Sequence, residues 1–168
     1  MIYIVCFLTS CGFFWLSEKC KSKFARNSLA AIAILIPCVL AGLRADTIGT
    51  DVKVYVEPIY NAAKKSNSFS SYMGQSWFYI WRYKYVHDFE IGFTILVFII
   101  EKITGSLNMV LFFIHVLILT PIYIGLRRIH KKTYPVCFGM LVFYLMFYNT
   151  SLNMMRQWMG MAILFIAF

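Results

Sequence analysis

The chain has 168 residues, of which 61% are hydrophobic, 18% aromatic and only 14% charged. A soluble domain is about 45–50% apolar and about a quarter charged, so this chain cannot cover itself with polar surface, and integral membrane protein is the class that remains. The formal charge of +9, from 16 Lys+Arg against 7 Asp+Glu, lies in short runs beside apolar segments; that fits phospholipid contact and excludes nucleic acid, for which no recognition helix or aromatic-basic platform is present.

A helix that crosses a bilayer needs about 20 residues. The first run, Met1 to Leu16, has no basic stretch before it and no Ala-x-Ala site, so it reads as an uncleaved spanning helix. Glu18, Lys19, Lys21, Lys23 and Arg26 follow, which assigns this loop to the cytoplasm and the amino terminus to the outside. Ser28 to Leu43 is the second span; it contains Pro37, which neighbouring helices must accommodate, and Arg44 ends it. Residues 45–88 form one long polar loop, expected outside the membrane. Its second half, Phe69 to Val86, mixes Trp77, Trp81 and several tyrosines with Arg82 and Lys84, as headgroup-level segments do.

Further apolar runs are Phe89 to Ile100, Leu107 to Leu126, Tyr134 to Tyr148, and a last one from near Trp158 to Phe168. The expected fold is all-α: a polytopic transmembrane bundle of about five to six hydrophobic helices, forming one membrane domain over residues 1–168. The chain stops inside a hydrophobic run, so a longer protein is expected. If every run spans, Arg127, Arg128, Lys131 and Lys132 fall outside, against the positive-inside rule. A re-entrant Phe89 to Ile100 restores them to the cytoplasm. It also brings Asn149 to Gln157 out on the same side as Arg44.

The five cysteines form no CxxC and read as small hydrophobes; neither a disulfide framework, a metal site nor a cofactor is expected. Four polar features remain. Arg44 precedes Asp46-Thr47-Ile48-Gly49-Thr50-Asp51, where Gly49 permits a turn and Thr50 or Asp51 can cap a helix. Val52, Tyr55, Val56, Ile59 and Tyr60 then recur at helical spacing, in a helix that Pro58 should kink or end. These features read either as a turn with a snorkelling arginine or as a site. Glu90, with Thr94, Val97 and Glu101 on one helical face, is either an inward acid or a carboxylate favoured by a helix dipole.

Asn153, Arg156, Gln157 and Gly160 fall at i, i+3, i+4 and i+7, a polar stripe opening an apolar span. It reads as interhelical glue or as a fork for an anionic group. His115, mid-span, is a hydrogen-bonding residue or a functional one.

Taken together, Gly42-Leu43-Arg44 with Ile48-Gly49-Thr50-Asp51 and Tyr55, then Glu90-Ile91-Gly92-Phe93, then Asn153-x-x-Arg156-Gln157, resemble the EpsG family of Wzy-like bacterial membrane proteins associated with exopolysaccharide and capsule synthesis. The three blocks occur in the family's order, and Ile91 stands where proline is frequent. The resemblance implies a polymerase of the bacterial cytoplasmic membrane that joins oligosaccharide repeats carried on undecaprenyl diphosphate. It assigns Arg44, Gly49, Thr50, Tyr55, Asn153, Arg156 and Gln157 to substrate contacts, with Arg44 and Arg156 at the diphosphate or an acidic sugar. Asp51 and Glu90 become the candidate bases, or acids that orient an arginine. The implied partners are the lipid-linked oligosaccharide, membrane lipids and other proteins of polysaccharide synthesis. A repeat flippase or transporter and a non-catalytic scaffold of the synthesis complex are the alternatives.

Overall fold

The computed structural model describes residues 1–44, 51–129 and 135–167. In chain order these form α1 (Ile2–Lys19), α2 (Lys23–Gly42), a π-helical stretch (Val52–Val56) running into α3 (Glu57–Lys65), α4 (Phe69–Met73), strands β1 (Ser76–Tyr79) and β2 (Arg82–Tyr85), a 3-10 turn (Val86–Asp88), α5 (Ile91–Thr104), α6 (Leu107–Ile129), α7 (Val136–Met146), α8 (Tyr148–Asn153) and α9 (Met155–Ala167). Two compact units result: Met1–Leu43 with Phe112–Phe168, and Arg44–Leu111.

Three helices, α1, α2 and α6, are long and apolar enough to cross a membrane. The apolar α7 and α9 are shorter, at 11 and 13 residues. The 14 residues of α5 extend about 21 Å at 1.5 Å per residue, well short of a hydrocarbon core of about 30 Å. The five to six helices expected from hydropathy are thus three of spanning length and several short ones. The all-α expectation holds, with one short antiparallel hairpin, β1 with β2, beside the helices.

In the first unit the central problem is Pro37, inside α2. Proline has no N–H, so the carbonyl of Ala33, four residues earlier, loses its helical donor. The Ser10 hydroxyl of α1 supplies it at 2.7 Å. With that proton committed, Tyr144 of α7 donates its own hydroxyl to Ser10 at 2.9 Å. Tyr148 donates to the Pro37 carbonyl at 2.5 Å. A helix defect is thereby closed from two neighbouring elements, as lipid requires of any exposed backbone group. Close backbone approach adds to this packing. A Cβ on Gly125 of α6 would meet the Phe165 ring of α9 at 2.5 Å, the small-residue contact typical of membrane helices.

The run Tyr134 to Tyr148 is not one helix. Among its described residues α7 ends at Met146, Phe147 (φ −117°, ψ −19°) interrupts the helix, and α8 begins at Tyr148. The hydropathy of the run could not reveal this, because the break carries no Gly or Pro.

In the second unit, Pro58 does not end its helix. A π-helical stretch precedes it, and Pro58 sits in the first turn of α3, where the chain passes from π-helical to α-helical pairing. Chain reversal after α5 uses Gly105 at φ +61°. The N–H of Gly105 caps onto the Glu101 carbonyl at 2.8 Å, while its own carbonyl accepts the Tyr60 hydroxyl at 2.7 Å. Burial first, and then the Glu101 carboxylate, raise the Tyr60 pKa, so this donor keeps its proton. Lys102 bonds the Ala63 carbonyl at 3.0 Å and pairs with Glu101 at 3.0 Å, closing α5 onto α3.

The expected interfacial segment Phe69 to Val86 is α4 plus the hairpin. Its two-residue turn puts Ile80 (φ +39°) and Trp81 (φ +71°) in left-handed backbone, a type of turn that Asn-Gly adopts without strain and a β-branched residue does not. Both tip side chains are exposed, Trp81 at 91%.

Candidate functional site

In the second unit Tyr55 of the first block packs on the residue that precedes the second block. Tyr55 lies in the π-helical stretch, and its ring packs edge-on against Phe89 at 5.6 Å. Phe89 in turn stacks on Trp77 of β1, also at 5.6 Å. Lys84 of β2 places its ammonium 4.3 Å from the Tyr55 ring and 4.8 Å from that of Tyr79, a pair of cation–π contacts. Glu90 follows Phe89 directly, so the aromatic stack sets where α5 starts. The hairpin therefore supplies a cation and a stacking ring that hydropathy alone could only mark as interfacial.

Glu90 occupies the N-cap position of α5 in extended backbone (φ −57°, ψ 124°) and makes no side-chain cap bond. It is solvent-exposed, whereas Thr94, Val97 and Glu101 on the face read from the sequence are buried. The inward face is real, but Glu90 stands outside it, ahead of the helix. Asp51 is half-buried, has helical backbone and makes no cap bond to the π-helical stretch. Gly49 and Thr50 lie outside the described residues, as do His130, Lys131 and Lys132. Arg44, two residues past the end of α2, is 6% exposed. A guanidinium held this far from solvent is unlike a snorkelling side chain.

The third block lies in the other unit and is split. Asn153 ends α8, Met154 adopts φ −125°, ψ 49°, and Met155, Arg156 and Gln157 form the first turn of α9. The predicted stripe of Asn153, Arg156, Gln157 and Gly160 on one continuous helix is therefore corrected. Asn153 turns back to bond the Asn149 carbonyl at 3.2 Å. Arg156 and Gln157 instead sit at a helix amino terminus, where N–H groups and the helix dipole favour an anion.

The first unit also has two distinguishable ends. At one, the Glu18 carboxylate accepts the Val136 N–H at 2.5 Å, Arg127 reaches Asn27 at 3.5 Å, and Arg128 bonds the Ile166 carbonyl at 3.0 Å. Hence the basic loop after α1, the carboxyl end of α6, the start of α7 and the end of α9 lie together. At the other end are Tyr3, whose ring is 6.4 Å from that of Tyr148, the carboxyl half of α2 through Pro37, and the α8–α9 break. His115 is fully buried with its ring 6.0 Å from that of Tyr148, which fits a core hydrogen-bonding role. The cysteines are free thiols, and among the described residues no cluster could hold a metal.

Three apolar helices of spanning length, beside a helix broken at an Asn-x-x-Arg-Gln block, are consistent with a membrane protein. The sequence matches the EpsG family over residues 27–168, and the chain belongs to that family. No functionally curated protein and no solved structure matches it.

Proposed function

We propose that this protein is a polymerase of the bacterial cytoplasmic membrane that joins oligosaccharide repeats carried on undecaprenyl diphosphate into exopolysaccharide or capsule. The observation that carries this reading is the broken helix. Arg156 and Gln157 open α9 at a membrane-type helix amino terminus, where a fork and backbone N–H groups can take a diphosphate leaving group as its charge develops. Arg44 is a second candidate for contact with an anionic group of the substrate. Glu90 or Asp51 takes the proton of the acceptor hydroxyl. Lys84, held over Tyr55, is a further cation near the Glu90 block.

The two ends of the first unit support the sidedness this chemistry needs. Taking the basic end as cytoplasmic, α2 leaves the membrane outward, and α6 must start from outside to end beside Asn27. Residues 44–106 then begin and finish outside, and α5 does not cross. The α8–α9 break lies at the outer end, the side to which α2 delivers Arg44.

A broken helix whose amino terminus faces an anion is also found in transporters, which keeps a repeat flippase as the second reading. Glycan analysis of a deletion strain separates them. Single repeats displayed on lipid, restored to long chains by the wild-type gene, are the expected result. Loss of surface material with repeats trapped inside would assign the protein to flipping instead.

A further inference from the structure

The second unit holds a cavity of about 320 Å³ with mixed apolar and polar walls, lined by no described residue of the three sequence blocks. One wall is the exposed face of α3, where Glu57, Asn61 and Lys65 follow one another at spacings of four. The facing wall is Gln75, Ser76 and Trp77 at the start of β1. The cavity's size is at the small end of ligand sites, which run about 300–1,000 Å³.

Its hydrogen-bonding capacity is unspent. Among the described residues, the side chains of Glu57, Asn61, Lys65 and Gln75 make no hydrogen bond or ion pair. The Trp77 indole Nε1 is buried there without a hydrogen-bond partner. A buried donor left unmade is unfavourable by about 1–3 kcal/mol, so a ligand that accepts from it gains what the protein alone forgoes.

The donor and acceptor set selects the ligand class. An ionised Glu57 only accepts, Lys65 and Trp77 only donate, and the two carboxamides do both. An anion would meet Glu57, and an apolar ligand would leave five groups unpaired. A polyhydroxylated ring, whose hydroxyls each donate and accept, satisfies all of them, and Pro58, Ala62 and the Trp77 ring give its C–H groups apolar wall. Trp77 is stacked on Phe89, the residue before Glu90, so whatever fills the cavity lies one ring away from the second block.

We propose that the cavity between α3 and β1 binds an uncharged pyranose ring of the oligosaccharide substrate. The assignment rests on the polymerase reading, and its test is separable from it. The probe is the free repeat oligosaccharide, released from its lipid by mild acid, titrated into the full chain in nanodiscs. Saturable binding is expected for the wild type, weakened about tenfold by Asn61→Ala and by Glu57→Gln, and by Trp77→Phe, which keeps a ring on Phe89 but removes the N–H. Lys64→Ala, on α3 but outside the cavity lining, should bind this probe as the wild type does. No saturable binding by the wild type, or wild-type affinity in Asn61→Ala and Glu57→Gln, overturns the proposal; both positions are on the outer face of α3, so these two variants decide even if Trp77→Phe does not fold. The polymerase reading stands or falls instead on chain length in Arg156→Ala cells, which this titration does not read.

Discussion

The two units of this protein treat their polar groups in opposite ways. In the unit built from Met1–Leu43 and Phe112–Phe168, hydroxyls are spent on the scaffold: Ser10, Tyr144 and Tyr148 close the gap that Pro37 opens. In Arg44–Leu111, short helices and a hairpin hold carboxylate, carboxamide and ammonium groups that bond to nothing within the described residues around one cavity. The contrast follows from solvent. Within hydrocarbon an unpaired polar group is too costly to keep, whereas at a wet surface it can be held ready for a ligand. The proposed site in the first unit is the α8–α9 break, where Arg156 and Gln157 open a helix.

The strongest way to break the comparison is to measure on which side each region lies. Single cysteines at Asn67, Thr150 and Lys21 in a cysteine-free background should behave in an all-or-none manner with an impermeant thiol reagent. Positions 67 and 150 should label from outside intact cells, and position 21 should not. Asn67 and Thr150 are exposed in the structure, unlike the neighbouring Ser66, which is buried and bonded to the Ala62 carbonyl. Labelling of 67 without 150 would put the α8–α9 break on the wrong side for a polymerase working at the outer face.

Next in size are the arginines. Arg156→Ala and Arg44→Ala should each lower polymer formation by about 10²–10³-fold, the loss typical of one transition-state charge contact. Lys at either position should restore only part, since a point charge lacks the planar fork. Full-length polymer from both alanine variants, at normal protein level, would return the arginines to a structural role.

Glu90 distinguishes chemistry from capping. Because its side chain makes no cap bond, Glu90→Gln should shift stability by no more than about 1 kcal/mol. Its effect on chain length should match that of Glu90→Ala, at about 10²-fold or more if Glu90 is the base. Wild-type chain length in the glutamine variant would move the base to Asp51.

Two smaller effects sharpen the contrast between strain and satisfaction. Replacing Ile80-Trp81 by Asn-Gly relieves left-handed backbone worth about 1–3 kcal/mol per residue. It should raise the thermal midpoint in detergent while reducing the depth of the hairpin in bilayers, read by lipid-borne quenchers. Unchanged quenching depth would mean that the tip is not seated in headgroups. Ser10→Ala, by contrast, should cost about 0.6 kcal/mol, the average for a membrane side-chain hydrogen bond, seen as a small drop in midpoint with polymer length preserved. A drop of several kcal/mol would show that nothing else can reach the Ala33 carbonyl.

Much of this architecture was legible in the chain. Composition identified a membrane protein, the spacing of polar blocks located Arg44, Tyr55, Glu90 and Arg156, and the basic residues at 127–128 marked the end that the structure joins to Asn27. Hydropathy also marked Phe89 to Ile100 as too short to span. These are local properties, written in which residues are apolar and how often they recur. What the tertiary structure decided depends on partners distant in sequence. The turn from Asn153 into Arg156 has no glycine or proline to announce it, and the segment leading into it is held by Tyr148 reaching Pro37 across 111 positions. The hairpin bends through Ile80 and Trp81 because strand pairing requires a turn there, against the preference of both residues. The stripe of Glu57, Asn61 and Lys65 is visible in the sequence as a polar helix face, but only folding sets Trp77 opposite it. A backbone or side-chain group is satisfied, strained or left waiting according to what packs against it, and hydropathy carries no record of that.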